Sequence, residues 1–116
     1  GLKVAMTTFD SFLKVKKVKR VNVLKIDVEG AEVEVLKGGA NFLKNNKKTH
    51  LFIEVNPKSL LSFGHTVADL LKILDFLGFN RKFVINEFER RTYKFSHWQL
   101  NKNLKKVSFV SIYAQN

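Results

Sequence analysis

The chain is 116 residues long, 45% hydrophobic and 27% charged, which is typical of one globular domain and excludes a disordered or fibrous protein. It has no cysteine, so disulfides, thiolate zinc sites and cysteine nucleophiles are excluded. No apolar run approaches the roughly 20 residues of a membrane helix, and no signal-type apolar core follows the N-terminus, so we expect a cytoplasmic protein with no membrane partner. The net charge of +11 comes mostly from lysine accompanied by asparagine, a pair that AT-rich coding DNA tends to produce, so by itself it does not favour a nucleic-acid partner.

The first predicted element is a short helix that begins after Thr7 or Thr8, with Asp10 completing a weak capping box with Thr7. Its apolar face carries Phe9, Phe12 and Leu13. A basic stretch follows, and then a strand over Val21–Val28. The nearly continuous apolar run of this strand is typical of a parallel sheet covered on both faces.

A second helix is predicted from Gly30 to roughly Leu43, weakened or bent at the pair Gly38-Gly39. The next short strand, Leu51–Val55, ends at Asn56-Pro57. A strand, a helix and a strand at this spacing form a βαβ unit, so the two strands should be parallel with a right-handed crossover.

The clearest helix signal lies further along the chain. Thr66 and Asp69 form a second Thr-x-x-Asp cap, and Gly78 ends the apolar periodicity as a glycine after a helix does. Four more elements follow: a strand at Lys82–Phe88, a partner strand at Thr92–Phe95, a short helix or loop at His97–Leu104 and a final strand at Val107–Ala114. Trp98 and Leu100 are predicted to be buried. The final strand should run antiparallel to its predecessor because too few residues separate them for a helical crossover, which gives a mixed α/β sheet.

Four segments carry a resemblance to a known family: Thr8-Phe-Asp-Ser-Phe, Lys25-Ile-Asp-Val-Glu-Gly-Ala-Glu, Val35-Leu-Lys-Gly and Phe52-Ile-Glu-Val. They resemble the FkbM-type methyltransferases, clearly so over Thr8–Glu54. The resemblance implies a Rossmann-like, class I methyltransferase-like mixed sheet, S-adenosylmethionine as the cofactor, and methylation of a hydroxyl group on a small molecule or glycan.

The resemblance also implies what this chain lacks. Its element order corresponds to strands four to seven of the family's seven, with no counterpart to the glycine-rich turn and the ribose-binding acid that hold the cofactor. We therefore expect residues 1–116 to be a single domain, the C-terminal portion of such a methyltransferase domain, which is inactive alone. Its cofactor-binding residues are unassigned, and titration with S-adenosylmethionine should show no saturable heat.

Acidic residues end the two predicted parallel strands. Asp27 and Glu29 follow the first and Glu54 ends the second, so all three can face one cleft. Methyl transfer to a hydroxyl needs a base that removes its proton, and these three are the predicted catalytic residues. Asn56 and Glu32 are predicted to bind the acceptor. The alternative is that Asp27 or Glu29 only caps the following helix, where Glu32 is a first-turn acid.

Other site types are less well supported by the sequence. The histidines show no metal-site spacing, and no metal is assigned, although Asp27, Glu29 and Glu54 could hold a divalent cation. The alternative function is a non-catalytic basic α/β module that binds an anionic partner such as nucleic acid. It would use one of two basic segments, Lys14–Arg20 or Arg90–Lys94. A base-stacking platform of Trp98, Tyr93 and Phe95 is considered there, but aromatics packed on a sheet edge are the favoured interpretation.

One expectation concerns assembly. In the family order, the strand Val21–Val28 is central and flanked by a strand with no counterpart here, which leaves an unpaired apolar edge. Such an edge invites pairing with another copy, so we expect a homodimer.

Overall fold

A computed structural model describes all residues from 1 to 116 as six helices and five strands. In chain order they are α1 (Phe9–Val15), β1 (Val23–Ile26), α2 (Glu32–Gly38), α3 (Ala40–Asn45), β2 (His50–Val55), α4 (Pro57–Ser62), α5 (Val67–Phe76), β3 (Arg81–Asn86), β4 (Arg91–Lys94), α6 (His97–Leu104) and β5 (Val110–Gln115). None of the helices combines the length and the apolar character needed to cross a lipid bilayer.

The five strands form one mixed sheet in the order β1-β2-β5-β3-β4. The β1–β2 pair is parallel, which confirms the predicted βαβ unit, and the other three pairs are antiparallel. β5 lies between β2 and β3 and has the same direction as β4, because both pair antiparallel with β3. The prediction that the final strand runs antiparallel to its predecessor is therefore wrong. The segment between β4 and β5 was expected to be too short for a helical crossover, but it contains the helix α6, which provides one.

The glycine pair in the predicted second helix separates it into α2 and α3. A Cβ atom at Gly39 would lie 2.5 Å from the ring of Phe9, so the backbone approaches α1 more closely than a side chain allows. The cap of α1 also differs from the prediction. Thr8 accepts the hydrogen bond from the Ser11 amide, whereas Asp10 accepts from two amides at the start of α3. The predicted capping box of Thr7 and Asp10 is therefore wrong, since Asp10 joins two helices instead.

Two helix starts depend on local capping. The predicted capping box of Thr66 and Asp69 is confirmed at α5, and Gly78 follows that helix with a φ of +88°. The helix α4 was not predicted, because Asn56 and Pro57 were interpreted only as the end of a strand. In the structure Asn56 is the N-cap and Pro57 takes the first helical position, where proline needs no amide partner.

Side chains alternate between the two faces of the sheet. Leu51, Ile53 and Ile112 point to the covered face, where residues of five helices, α2 to α6, build the hydrophobic core. His50, Phe52 and Glu54 point to the opposite face, which stays accessible and which we call the open face. The prediction that β1 is covered on both faces is thus wrong: Val23, on the open face, is 62% exposed.

The predictions for the last helix are half confirmed. Leu100 is buried in the core, as predicted. Trp98 is 66% exposed, so its predicted burial is wrong, and the ammonium group of Lys102 lies 4.7 Å from its ring centroid. Leu100 therefore fills the core, whereas the ring of Trp98 lies at the surface against the side chain of Lys102.

Candidate functional site

The structure brings Asp27, Glu29 and Glu54 together at one edge of the sheet. Ile26 and Ile53 are direct partners in the parallel pair, so the residues that follow them leave the sheet side by side. One carboxylate oxygen from each of the three residues lies within 4.8 Å of the other two. The sequence therefore located the cluster correctly, while the roles given to its members stay predictions.

The loop that carries Asp27 and Glu29 is tightly held. Lys25 makes an ion pair of 3.2 Å with Asp27 on the open face. Glu29 has a φ of +54°, a left-handed conformation that costs energy in a residue with a side chain. Gly30 has a φ of +113° and packs so closely on α4 that an added Cβ would lie 2.2 Å from the carbonyl oxygen of Ser59. These contacts fix the direction in which the two carboxylates leave the strand.

Glu32 lies beneath this loop rather than at the surface. It is 2% exposed, and its Oε1 accepts hydrogen bonds from the amides of Val28 at 3.3 Å and Gly30 at 3.2 Å. Its Oε2 is buried without a hydrogen-bond partner. The observed contacts make Glu32 a support for the loop, and its predicted role in acceptor binding stays a prediction.

Asn56 follows β2 directly and is half-buried. Its Oδ1 accepts hydrogen bonds from the amides of Lys58 and Ser59, which caps α4. The amide nitrogen of its side chain makes no hydrogen bond within the chain. Asn56 thus caps α4 through its Oδ1, and its side-chain nitrogen is a free hydrogen-bond donor two residues after Glu54.

The electrostatics of the cluster single out Glu54. Its partial burial, and then the negative charges of Asp27 and Glu29, raise the pKa of its carboxyl group above the ordinary value of a glutamate. A carboxylate with a raised pKa is a stronger base, which suits proton abstraction from a hydroxyl group. The same three carboxylates are the residues that could hold a hard divalent cation.

Sequence reasoning missed a fourth acidic residue near the cluster. Glu87 follows β3, and its charge contributes to the raised pKa of Glu54. Ser111, the direct partner of Glu54 on β5, donates a 2.8 Å hydrogen bond to Glu87. Only the position of β5 between β2 and β3 brings these residues together, and no local pattern indicates that pairing.

The base-stacking platform considered from the sequence does not form. Trp98 lies on α6, Phe95 packs edge-on against His97, and Tyr93 donates a hydrogen bond to Glu89. None of the aromatic ring pairs in the structure joins two of the three residues Trp98, Tyr93 and Phe95. Tyr93 and Phe95 pack against the core, as the favoured interpretation expects, whereas the exposed Trp98 does not.

The sequence was compared with models of protein families, with curated proteins and with solved structures. The model of the methyltransferase FkbM domain matches residues 1–95, which extends the resemblance seen over Thr8–Glu54 in both directions. Neither the search of curated proteins nor that of solved structures found a match. The matched region contains the whole acidic cluster and its supporting loop, and it covers well over half of the sequence. The chain belongs to the FkbM methyltransferase domain family.

Proposed function

We propose that this chain forms the acceptor-binding part of an S-adenosylmethionine-dependent O-methyltransferase. The observation that carries the proposal is the meeting of Asp27, Glu29 and Glu54 at the carboxyl ends of two adjacent parallel strands. Ligands of open α/β sheets bind at such strand ends. Family membership supplies the reaction class, and the acidic cluster supplies groups suited to a hydroxyl acceptor.

In this proposal Glu54 is the general base. A hydroxyl oxygen becomes a good nucleophile as its proton leaves, and the raised pKa of Glu54 favours its taking that proton. Asp27 and Glu29 are more exposed and accept hydrogen bonds from neighbouring hydroxyls of a small molecule or glycan. Asn56 donates its free amide hydrogens to the acceptor, and Glu32 positions the loop from below.

We propose that residues 1–116 do not supply the whole cofactor pocket. The largest volume among the main cavities is about 780 Å³, and that cavity is lined by residues of the N-terminal segment, α1 and α2. It and four further cavities of about 450 to 650 Å³ contain none of the three carboxylates. No strand lies beyond β1, and no glycine-rich turn stands beside it. In this proposal the chain is the part of a Rossmann-like domain that corresponds to strands four to seven and is inactive alone.

Two measurements test this proposal. Isothermal titration with S-adenosylmethionine should show no saturable heat, and saturable binding would contradict the partial-domain assignment. NMR titration of the labelled chain with a panel of monosaccharides and polyols should shift amides of residues 27–32 and 54–56. The Glu54→Gln variant should lose these shifts, whereas Glu34→Gln, a change in an exposed acid of α2, should keep them. Shifts confined to other surfaces, or unaffected by Glu54→Gln, would contradict the acceptor site.

We further propose that the β1 edge pairs with a second copy of the chain. β1 ends the sheet on one side and exposes Val23, with one cation, Lys25, paired to Asp27, whereas the opposite edge strand, β4, carries two cations, Arg91 and Lys94, which oppose edge pairing. Light scattering at tens of micromolar should show a dimer that Val23→Lys dissociates and Thr92→Lys, on β4, leaves intact. A monomer at this concentration would contradict the proposal.

A further inference from the structure

A polar cavity of about 480 Å³ lies between α6 and the beginning of β4. A cavity of this volume is of the size that holds a small molecule. None of the carboxylates of the proposed acceptor site lines it. Its lining combines three cations, one acid, two amides and a phenol: Arg91, Lys102, Lys106, Glu89, Gln99, Asn103 and Tyr93.

The cavity lies on the covered face and at one edge of the sheet. Tyr93 is the direct partner of Val84, which is fully buried in the core, so Tyr93 points to the side that the helices cover. β4 is the edge strand opposite β1. The strands that the partial-domain proposal places beyond β1 would therefore join the sheet at the edge farthest from this cavity.

One side of α6 faces the cavity. Gln99, Lys102 and Asn103 follow one another at intervals that place them on that side, and Lys106 comes just after the helix. Asn103 is 2% exposed; its Oδ1 accepts a 2.7 Å hydrogen bond from the side-chain amide of Asn86, and its Nδ2 donates one of 2.8 Å to the carbonyl oxygen of Gln99. These bonds fix the buried wall of the cavity. The side-chain amide of Gln99 makes no hydrogen bond within the chain, so it is available to a ligand.

The one acid of the cavity is neutralised within the chain. Glu89 accepts a 2.7 Å hydrogen bond from the hydroxyl group of Tyr93 and one of 3.1 Å from the ammonium group of Lys106. These hydrogen bonds, and then the charges of Lys106 and Arg91, lower the pKa of its carboxyl group. Glu89 is therefore ionised at neutral pH, and the charge of Lys106 balances it.

The other two cations of the cavity have no acidic partner. Arg91 and Lys102 are exposed and take part in none of the five ion pairs of the structure. The guanidinium group of Arg91 makes no hydrogen bond within the chain, and the ammonium group of Lys102 lies 4.7 Å from the ring centroid of Trp98. Two positive charges thus remain, which matches the charge of about −1.5 to −2 that a phosphate monoester carries near neutral pH.

From this arrangement we propose that the cavity binds the phosphate group of a small phosphate monoester, such as a sugar phosphate. The planar guanidinium group of Arg91 donates two parallel hydrogen bonds to phosphate oxygens, a geometry that an ammonium group cannot provide. Lys102 supplies the second charge, and the side-chain amide of Gln99 binds a hydroxyl group of the attached molecule. This proposal is independent of the methyltransferase assignment, because the site shares no residue with the acidic cluster.

NMR titration of the labelled chain with glucose 6-phosphate tests the ligand class. The amides of residues 89–93 and 99–106 should shift and saturate. Glucose should leave these amides unshifted, and glucuronate, which carries one charge, should bind about tenfold more weakly. Inorganic phosphate should bind about threefold more weakly, because it offers no hydroxyl group to Gln99. Shifts confined to residues 27–32 and 54–56 would report the acceptor site instead and would overturn this proposal while leaving the proposed function intact.

Charge-matched variants test the residues. Arg91→Gln should weaken the binding of glucose 6-phosphate about tenfold, and Arg91→Lys should recover only part of that loss. Arg90→Gln removes the same charge from a residue that does not line the cavity and should leave the affinity unchanged. Lys102→Gln and Lys105→Gln form a second pair, in which only the former should weaken binding. All five side chains are exposed, and the NMR spectra confirm that each variant is folded.

Three results would overturn the proposal. Equal losses in the cavity variants and their controls would show that the ligand only senses the net charge of the chain. Glucose binding as tightly as glucose 6-phosphate would exclude a phosphate site. Inorganic phosphate binding as tightly as glucose 6-phosphate would exclude a site for a monoester.

Discussion

The two faces of the sheet differ in chemistry although they are made by the same strands. On β2, Leu51, Ile53 and Val55 are buried against helices, while His50, Phe52 and Glu54 alternate with them on the open face. On this strand the covered side is aliphatic, whereas the open side is aromatic and charged. Because the strand period is two residues, neighbouring positions in one strand point in turn to the core and to the open face. Substitutions one residue apart should therefore have unlike effects.

The largest expected difference lies in β5. Ile112 is fully buried in the core, so Ile112→Ala should lower the free energy of unfolding by about 2 to 5 kcal/mol. Its neighbour Tyr113 faces the other way, and Tyr113→Phe removes only the hydrogen bond to His50, at a cost of about 1 kcal/mol. Urea denaturation of both variants measures the contrast. Equal losses would show that the open face is covered in solution.

A second contrast compares two glycines with positive φ. Gly30→Ala should cost about 2 kcal/mol or more, because the new Cβ would be strained and would also overlap the backbone of Ser59. Gly64→Ala places a residue at a φ of +78° with no atom within 4 Å of the added Cβ, so only the strain of about 1 kcal/mol remains. Thermal unfolding should rank the two. The reverse order would mean that the acidic loop does not pack on α4 as described.

How much of the molecule the sequence predicts depends on the range of the interactions involved. The βαβ unit, the cap of α5 and the meeting of the three carboxylates were predictable, because each depends on local periodicity, a capping pair or the handedness of one crossover. The position of β5 was not, because pairing between β2 and β5 joins residues about 60 apart, such as Phe52 and Tyr113. The contacts of Tyr113 with Phe52 and Phe83 depend on the position of β5, so no segment of the sequence alone indicates them.

Local patterns also failed in two places where one signal has two meanings. Asn56-Pro57 both ends a strand and begins a helix, and only the first meaning was used, so α4 was missed. Trp98 was expected inside because it is large and apolar, but its helix turns Leu100 and Asn103 toward the core. Asn103 is buried there with a partner, because its Oδ1 accepts a 2.7 Å hydrogen bond from the side-chain amide of Asn86 on β3. The burial of Asn103 can be predicted only when its partner Asn86, 17 residues away, is known.

The smallest expected effect concerns pH and the cluster of Asp27, Glu29 and Glu54. Because the pKa of Glu54 is raised by its burial and by Asp27 and Glu29, the folded state binds its proton more tightly than the unfolded state does. The charged form therefore costs stability as the pH rises through and above the ordinary glutamate range near about 4.3. Glu54→Gln should therefore stabilise the fold slightly at pH 7, and the gain should fade as the pH falls through the raised pKa of Glu54 and then through the ordinary glutamate range.

Glu34, in α2, has a pKa that is shifted in the opposite direction. Hydrogen bonds from Lys37 and His65 lower the pKa of its carboxyl group, so its charged form favours the folded state. Glu34→Gln should therefore lose a little stability at neutral pH, and the loss should fade as the pH falls through the lowered pKa. The change in the free energy of unfolding relative to the natural chain, measured from pH 3 to pH 8, should have opposite signs for the two variants at neutral pH. If Glu54→Gln instead destabilised the chain at pH 7, the three carboxylates would not repel one another, and a cation bound among them would explain the result better than a free general base does.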